Sequence, residues 1–165
     1  MAQKMEKPEQ DEERLSLSVS ARYLLEECRM VLPGIQALFG FQLVSVFTDS
    51  FARNLSQPEK QLHLVALGMV AVAVALVMTP AAIHRRMGAR HVSEKFIETS
   101  TRLLLASMFP LAIGICVDFY LIARIITGSN KIAFLLSLAV LAVFGSLWFL
   151  LPRFRFAPLR KPKPK

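Results

Sequence analysis

Four long apolar segments decide what this chain can fold into. The segment at 62–83 contains no Asp, Glu, Lys or Arg, and the segments at about 30–48, 103–126 and 132–151 are nearly as apolar. At ~1.5 Å per residue, a helix of this length crosses the ~30 Å hydrocarbon core of a bilayer. The charged residues gather at the chain ends and in one central loop, whereas a soluble surface would carry them every few residues. The sequence therefore predicts an all-α protein with four transmembrane helices in an up-down bundle.

The remaining segments are predicted to lie outside this bundle. Residues 1–20 begin with a highly charged stretch and are predicted to be a disordered cytoplasmic tail, whereas residues 21–152 form the transmembrane domain. Pro33 lies just inside the first span, so we expect a kink near Arg29 that leaves a short interfacial helix before the bilayer. The basic, proline-containing segment 153–165 is predicted to be a second cytoplasmic tail.

The distribution of Lys and Arg predicts the orientation of the chain. Sixteen of the 20 such residues precede the first span, lie between the second and third, or follow the fourth. Because cytoplasmic loops of membrane proteins are enriched in Lys and Arg, both termini are predicted to be cytoplasmic. The same positions explain the net charge of +8 by contact with anionic lipid at the cytoplasmic face, so we expect no nucleic-acid partner.

Local signals mark where several helices begin and end. Ser56 and Glu59, followed by the second apolar segment, match a capping box. Ser93 is placed to cap the helix of the third span. Gly128 fits the left-handed position that follows the end of that helix.

One face of the first span and its approach is polar. At ~100° per residue, Arg22, Glu26, Arg29, Pro33 and Gln36 fall on the same side of a helix. This stripe has two interpretations. It is either a packing face of the bundle with a solvated start, or the lining of a polar entrance.

Asp118 is the only carboxylate well inside a predicted span. An ionised carboxylate at that depth costs about 2–3 kcal/mol, so it should be paired, hydrated or protonated. One hypothesis is a structural ion pair with Arg124 or Arg53, and a second is a proton or cation site. A third is an aspartate without a special role near a thinned part of the interface. Asp49 and Gln42 are predicted to reach the same half of the membrane. The candidate site therefore consists of Asp118, Asp49, Gln42 and Arg124.

The sequence contains no recognisable catalytic or cofactor motif. His63 is expected at the opposite end of the bundle from His84 and His91, so no two histidines are placed to share a haem or a metal ion. The Cys and His spacings of zinc sites are absent, as are hydrolase, metalloprotease and phosphate-loop motifs. We therefore expect no enzyme activity, no cofactor and no catalytic or metal-binding residue.

Two motifs carry a resemblance to a known family. The pattern Glu-x-Arg-x-x-Leu-Pro-Gly-x-Gln-x-Leu-Phe-x-Phe occurs at 27–41, and Pro-x-x-x-His-Arg occurs at 80–85. With these motifs the chain resembles a family of small bacterial integral membrane proteins that has four transmembrane helices and no established function. The resemblance implies a multi-pass protein of the bacterial inner membrane. Some members of that family are labelled sodium/proton antiporters, which implies ion transport as a candidate activity. The matching residues are Glu27, Arg29, Leu32, Pro33, Gly34, Gln36, Leu38, Phe39, Phe41, Pro80, His84 and Arg85.

Two functional hypotheses follow from the sequence. The first is a non-catalytic packing or accessory component that associates with itself or with another membrane protein, because small residues at 68, 71 and 75 permit close helix contact. The second is a small cation- or proton-coupled transporter or channel that uses Asp118. Since 165 residues hold one set of four spans, such a transporter would have to be an oligomer. An arginine beside Asp118 would favour a structural role, whereas contact with the helix that carries Gln42 would favour transport.

Overall fold

The structure of the protein, a computed structural model, describes residues 7–87 and 93–152, with side chains from Leu17 onward. All regular structure in this part of the chain is helical, which confirms the all-α class. There are five α-helices, and a π-helical turn, Ser146–Leu150, continues the last one. The helices are α1 Lys7–Ser45, α2 Asp49–Asn54, α3 Gln57–Met87, α4 Glu94–Thr127 and α5 Asn130–Gly145.

Within the described ranges, three helices are long and apolar enough to cross a membrane. They are α3, α4 and the segment Asn130–Leu150, which joins α5 to the π-helical turn. The first predicted span falls on α1, which is not among these three. Gln36 and Gln42, together with Pro33 and two glycines, dilute its apolar character. The structure thus supports a membrane protein with three clearly apolar helices.

The first helix, α1, differs most from the prediction. It has 39 residues and begins at Lys7, inside the segment predicted to be a disordered tail. It continues through Pro33 without a break, so the predicted interfacial helix and first span form one continuous element. It ends at Ser45, where a turn leads into α2, rather than at residue 48. The tail predictions for residues 1–6 and 153–165 fall outside the described residues.

The predicted helix boundaries after α1 are confirmed. The carboxylate of Glu59 accepts a hydrogen bond of 2.8 Å from the backbone N–H of Ser56, which is one half of a capping box, and the Ser56 hydroxyl donates to the same carboxylate. Ser93 Oγ accepts from the backbone N–H of Phe96 at 3.2 Å and so caps α4. Gly128 ends α4 with a φ of 65°, a left-handed conformation that glycine adopts without steric cost.

Helices α3 and α4 form the central pair. They run in opposite directions, since His84 near the end of α3 contacts Phe96 near the start of α4. Gly114 marks a close approach between them: a Cβ atom there would lie 2.9 Å from Val70 Cγ2 and 3.1 Å from the carbonyl oxygen of Ala66. The absence of a side chain at this position therefore lets the two backbones meet.

The other two long helices pack on either side of this pair. Helix α1 contributes Leu24, Cys28 and Ile35 to a buried cluster with Val70 and Val77 of α3. Helix α5 packs on α4, where Ser137 Oγ donates a hydrogen bond of 2.7 Å to the carbonyl of Cys116. The exposed side chains of these helices are largely apolar, as expected of surfaces that face lipid.

Candidate functional site

A cluster of polar side chains lies where three helices meet. Gln42 comes from the last turn of α1, His63 from the second turn of α3, and Asp118 from the C-terminal part of α4. The residues Gln42 and His63 are only 4% and 8% exposed, and the side chain of Asp118 is 15% exposed. Because buried polar groups must be satisfied by each other, this cluster fixes how the three helices are rotated.

Hydrogen bonds join all three side chains. Asp118 Oδ1 lies 2.9 Å from Nδ1 of His63, and Asp118 Oδ2 accepts from the side-chain amide of Gln42. The other ring nitrogen of His63, Nε2, lies 3.1 Å from the backbone carbonyl of Gln42 and 3.3 Å from Oγ of Ser45. The ring of Phe51 meets the imidazole edge-on at a centroid distance of 5.2 Å. Both ring nitrogens of His63 therefore have hydrogen-bond partners, and Phe51 packs against the ring.

These contacts determine how many protons the cluster holds. The hydroxyl of Ser45 donates its only hydrogen to the carbonyl of Gln42 at 2.7 Å, so both of these oxygens act as acceptors toward Nε2. This geometry favours the tautomer in which Nε2 of His63 carries a hydrogen. The contact between Nδ1 and Asp118 Oδ1 needs a second hydrogen, which can reside on either atom. Whichever atom carries it, the hydrogen-bonded pair in this arrangement has zero net charge.

The amide of Gln42 is oriented by the same carboxylate. Its nitrogen donates to Asp118, and its oxygen Oε1 is buried without a hydrogen-bond partner in the described part of the chain. The reverse orientation would bring two oxygen acceptors together. Gln42 therefore serves as a fixed donor to Asp118 in both proton arrangements of the pair.

The cluster borders a cavity of about 380 Å³ between α1, α2, α3 and α4. Its polar part consists of Gln42, His63 and Asp118 together with Ser45, Thr48 and Ser50. Its other walls are mostly apolar and include Leu38, Phe41, Phe51, Leu55, Leu121, Ile122 and Ile125.

Two of the four predicted site residues come together in this cluster, namely Asp118 and Gln42. The carboxylate of Asp49 instead pairs with Arg53 at 2.9 Å on an exposed face of α2. Arg124 binds Glu59 in an ion pair and donates at 3.0 Å to the backbone carbonyl of Asn54. The proposed ion pair of Asp118 with Arg53 or Arg124 is therefore absent from the structure, in which both arginines have other partners.

Sequence reasoning missed His63 and Ser45. His63 was placed correctly at one end of the second span, but nothing in the local sequence shows which way its side chain turns. One signal was available. His63 is the only strongly polar side chain within the apolar segment that also lies near the depth expected for Asp118.

The polar stripe of the first span lies at the opposite end of α1. Arg22, Glu26, Arg29 and Pro33 line a groove of about 760 Å³ between α1 and α3, whereas Gln36 is exposed and does not line it. The stripe is therefore neither buried as a packing face nor part of the Asp118 cluster.

These observations define the class of protein: an α-helical membrane protein with a hydrogen-bonded polar cluster beside a cavity of mixed polar and apolar lining. In the described ranges no group of three or more His, Cys, Asp or Glu side chains is arranged to hold a metal ion. The model of a family of unknown function, DUF6328, matches residues 8–152, and the chain belongs to that family. Neither a curated protein nor a solved structure matches the chain.

Proposed function

We propose that the protein is a small proton-coupled cation transporter, active as an oligomer, in which Asp118 and His63 hold the transported proton. The observation that carries this proposal is the contact between Asp118 Oδ1 and His63 Nδ1 at 2.9 Å, with no arginine at the carboxylate. An arginine partner would hold Asp118 permanently ionised. Histidine, in contrast, exchanges protons under physiological conditions.

The charge of the cluster explains why a cation would be coupled to the proton. With its proton, the pair of Asp118 and His63 is neutral. Without it, the cluster carries one negative charge among apolar side chains, where an uncompensated charge is costly. A cation that enters the adjacent cavity restores neutrality. Proton release and cation binding thus favour each other, which is the requirement for exchange of one for the other.

Proton flux into liposomes tests this proposal. The full chain is reconstituted with a pH-sensitive dye inside the liposomes, and a sodium or potassium gradient is imposed. We expect the wild type to let the cation flow down its gradient and to move protons across the membrane in the opposite direction. We expect Asp118→Asn to reduce the flux to that of protein-free liposomes, because an amide keeps the hydrogen bond to Nδ1 but releases no proton.

Asp49→Asn is the matched control, since it removes an exposed carboxylate at the same end of the protein. It should transport like the wild type. Wild-type liposomes without flux, or unchanged flux in Asp118→Asn, would contradict the proposal.

The proposed arrangement in the membrane follows the charge distribution. We propose that α1 also crosses the membrane and, with the three apolar helices, completes an up-down bundle of four spans. This bundle lies in a bacterial inner membrane with both termini cytoplasmic. The absence of enzyme activity stays a prediction. Accessibility of cysteines introduced near Asn54 and Met87 would test the orientation, because the native Cys28 and Cys116 are buried. Labelling of position 54 from the cytoplasm would contradict it.

Self-association is a second candidate function. It would suit a non-catalytic accessory component, and the oligomer proposed for transport requires it as well. The observation that favours it is the face of α3 that carries Gly68, Ala71 and Ala75. All three are exposed, and a Cβ atom at Gly68 would meet nothing within 4 Å. Among the described residues nothing packs closely on this small-residue face, which leaves it open to a second copy. Crosslinking in native membranes that yields only monomer would exclude this candidate.

A further inference from the structure

The groove between α1 and α3 at the end away from Asp118 has a mixed lining. Its volume is about 760 Å³, within the range of sites that hold a molecule of several hundred daltons. The floor is apolar and is formed by Leu25 and Leu32 of α1 with Val77, Met78 and Ala81 of α3. A ligand that fills this groove needs an apolar portion that follows the floor.

Charged side chains border this floor. Arg22, Glu26 and Arg29 lie along one side of α1 and all three are exposed. At spacings of four and three residues these charges could pair with one another on the helix, yet among the described residues no ion pair involves any of them. Two guanidinium groups and one carboxylate leave a net charge of +1. The charge complementary to this groove is therefore a single negative one.

The position of the groove along α3 indicates which molecules reach it. The last turn of α3 carries His84, Arg85 and Arg86, directly after its apolar segment. Basic residues at the end of an apolar helix lie at the level of the lipid head groups. His84 lines the groove, so the groove extends from the head-group level into the apolar layer. Phospholipids are the amphiphiles that surround a protein at this depth.

We propose that this groove binds one phospholipid with a singly charged anionic head group. The phosphodiester contacts the guanidinium groups of Arg22 and Arg29, which present planar hydrogen-bond donors suited to phosphate oxygens. One acyl chain lies along Leu25, Leu32 and Met78. The inference does not depend on the proposed function of Asp118, because the site lies at the other end of α1 and shares no residue with the polar cluster.

Native mass spectrometry of the full chain in detergent tests this site. The protein is titrated with phosphatidylglycerol, and separately with phosphatidylcholine and phosphatidylethanolamine that carry the same acyl chains. We expect one phosphatidylglycerol to remain bound at concentrations at which the two zwitterionic lipids dissociate. Equal retention of the three lipids by the wild type would overturn the proposal.

A double variant, Arg22→Gln with Arg29→Gln, tests the head-group contacts. Since each basic residue near a membrane surface contributes about 1 kcal/mol to anionic lipid binding, we expect the affinity for phosphatidylglycerol to fall roughly thirtyfold. Arg102→Gln is the matched control, because Arg102 is an exposed arginine near the same end of the bundle that already pairs with Glu98. An equal loss in this control would show that the effect is general charge and would overturn the site.

Ala81→Phe tests the seat of the acyl chain. Ala81 is an exposed residue on the groove floor, so a phenyl ring fills the groove without entering the packed core. We expect this variant to lose the bound lipid while both arginines remain. Retention of phosphatidylglycerol with wild-type affinity would show that no acyl chain occupies the groove.

Discussion

Polar side chains at the two ends of the α1–α3 pair differ in burial and in pairing. At the end of α1 that leads into α2, Gln42, His63 and Asp118 are buried and bound to one another. At the other end, Arg22 and Arg29 are exposed beside a groove, and no carboxylate in the described part of the chain pairs with them. At the first end the three side chains bind one another, and only the buried oxygen Oε1 of Gln42 lacks a partner among the described residues. The second end leaves its charges for molecules outside the chain.

This difference predicts that substitutions at the two ends have unequal effects on stability. A buried polar network is sensitive to the loss of one member, because the remaining members lose partners that water cannot replace. The removal of an exposed charge that has no partner changes the stability of the fold little. Three variants, ordered by expected effect, test this contrast.

Gly114→Leu should have the largest effect. Gly114 precedes Asp118 by one helical turn, and even a Cβ atom there would lie 3.1 Å from the backbone oxygen of Ala66. A leucine forces α3 and α4 apart and pulls Asp118 away from His63. We expect a loss of about 3 kcal/mol or more, measured by thermal unfolding in detergent with circular dichroism. Gly34→Leu is the control, with a change within about 0.5 kcal/mol, because that position is exposed and a Cβ atom there would meet nothing within 4 Å. Similar melting of the two variants would contradict the close approach at Gly114.

Asp118→Leu should have an intermediate effect, and a larger one than Asp118→Asn. Leucine leaves the amide of Gln42 and Nδ1 of His63 without their partner, at about 1–3 kcal/mol for each buried group. Asparagine supplies a donor for Nδ1 and an acceptor for Gln42, so we expect its unfolding free energy to stay within about 1 kcal/mol of the wild type. The same melting assay compares the two. Equal destabilisation would mean that the neutral, protonated arrangement of the pair is not the one that the fold requires.

Arg22→Gln combined with Arg29→Gln should have the smallest effect. In detergent without added lipid, we expect a change in unfolding free energy of less than about 0.5 kcal/mol, since neither side chain is buried or paired within the described residues. Added phosphatidylglycerol should raise the melting temperature of the wild type more than that of the variant. A large loss of stability without lipid would show that the two arginines hold the fold together themselves.

Much of the fold could be predicted from the sequence because its signals are local. Three of the four apolar segments, the contact of Ser56 with Glu59, the cap at Ser93 and the left-handed Gly128 each depend on a few neighbouring residues, and the structure confirms them. The length of α1 could not be predicted in the same way. The start of that helix lacks the apolar content that marked the other segments, so its polar sequence indicated a tail.

The candidate site was predicted in part for the same reason. Asp118 and Gln42 stood out because polar residues are rare in apolar segments, and their joint cluster requires only that α1 and α4 face each other. The partners of Arg124 and Asp49 depend on how helices rotate and where α1 ends. Since α1 ends at Ser45, Asp49 belongs to the separate helix α2 and turns outward. Helix rotation is set by long-range packing, such as the contact at Gly114, which leaves no local signal.

The three members of the polar cluster lie far apart along the chain. His63 precedes its partner Asp118 by 55 residues, and Gln42 precedes it by 76. Because a chain is synthesised from its N-terminus, α1 and α3 are complete while the carboxylate does not yet exist. Until α4 arrives, the amide of Gln42 and Nδ1 of His63 lack their partner in a medium that offers few alternatives. The cluster can therefore form only late in biosynthesis, after α4 has been synthesised and has packed against α1 and α3.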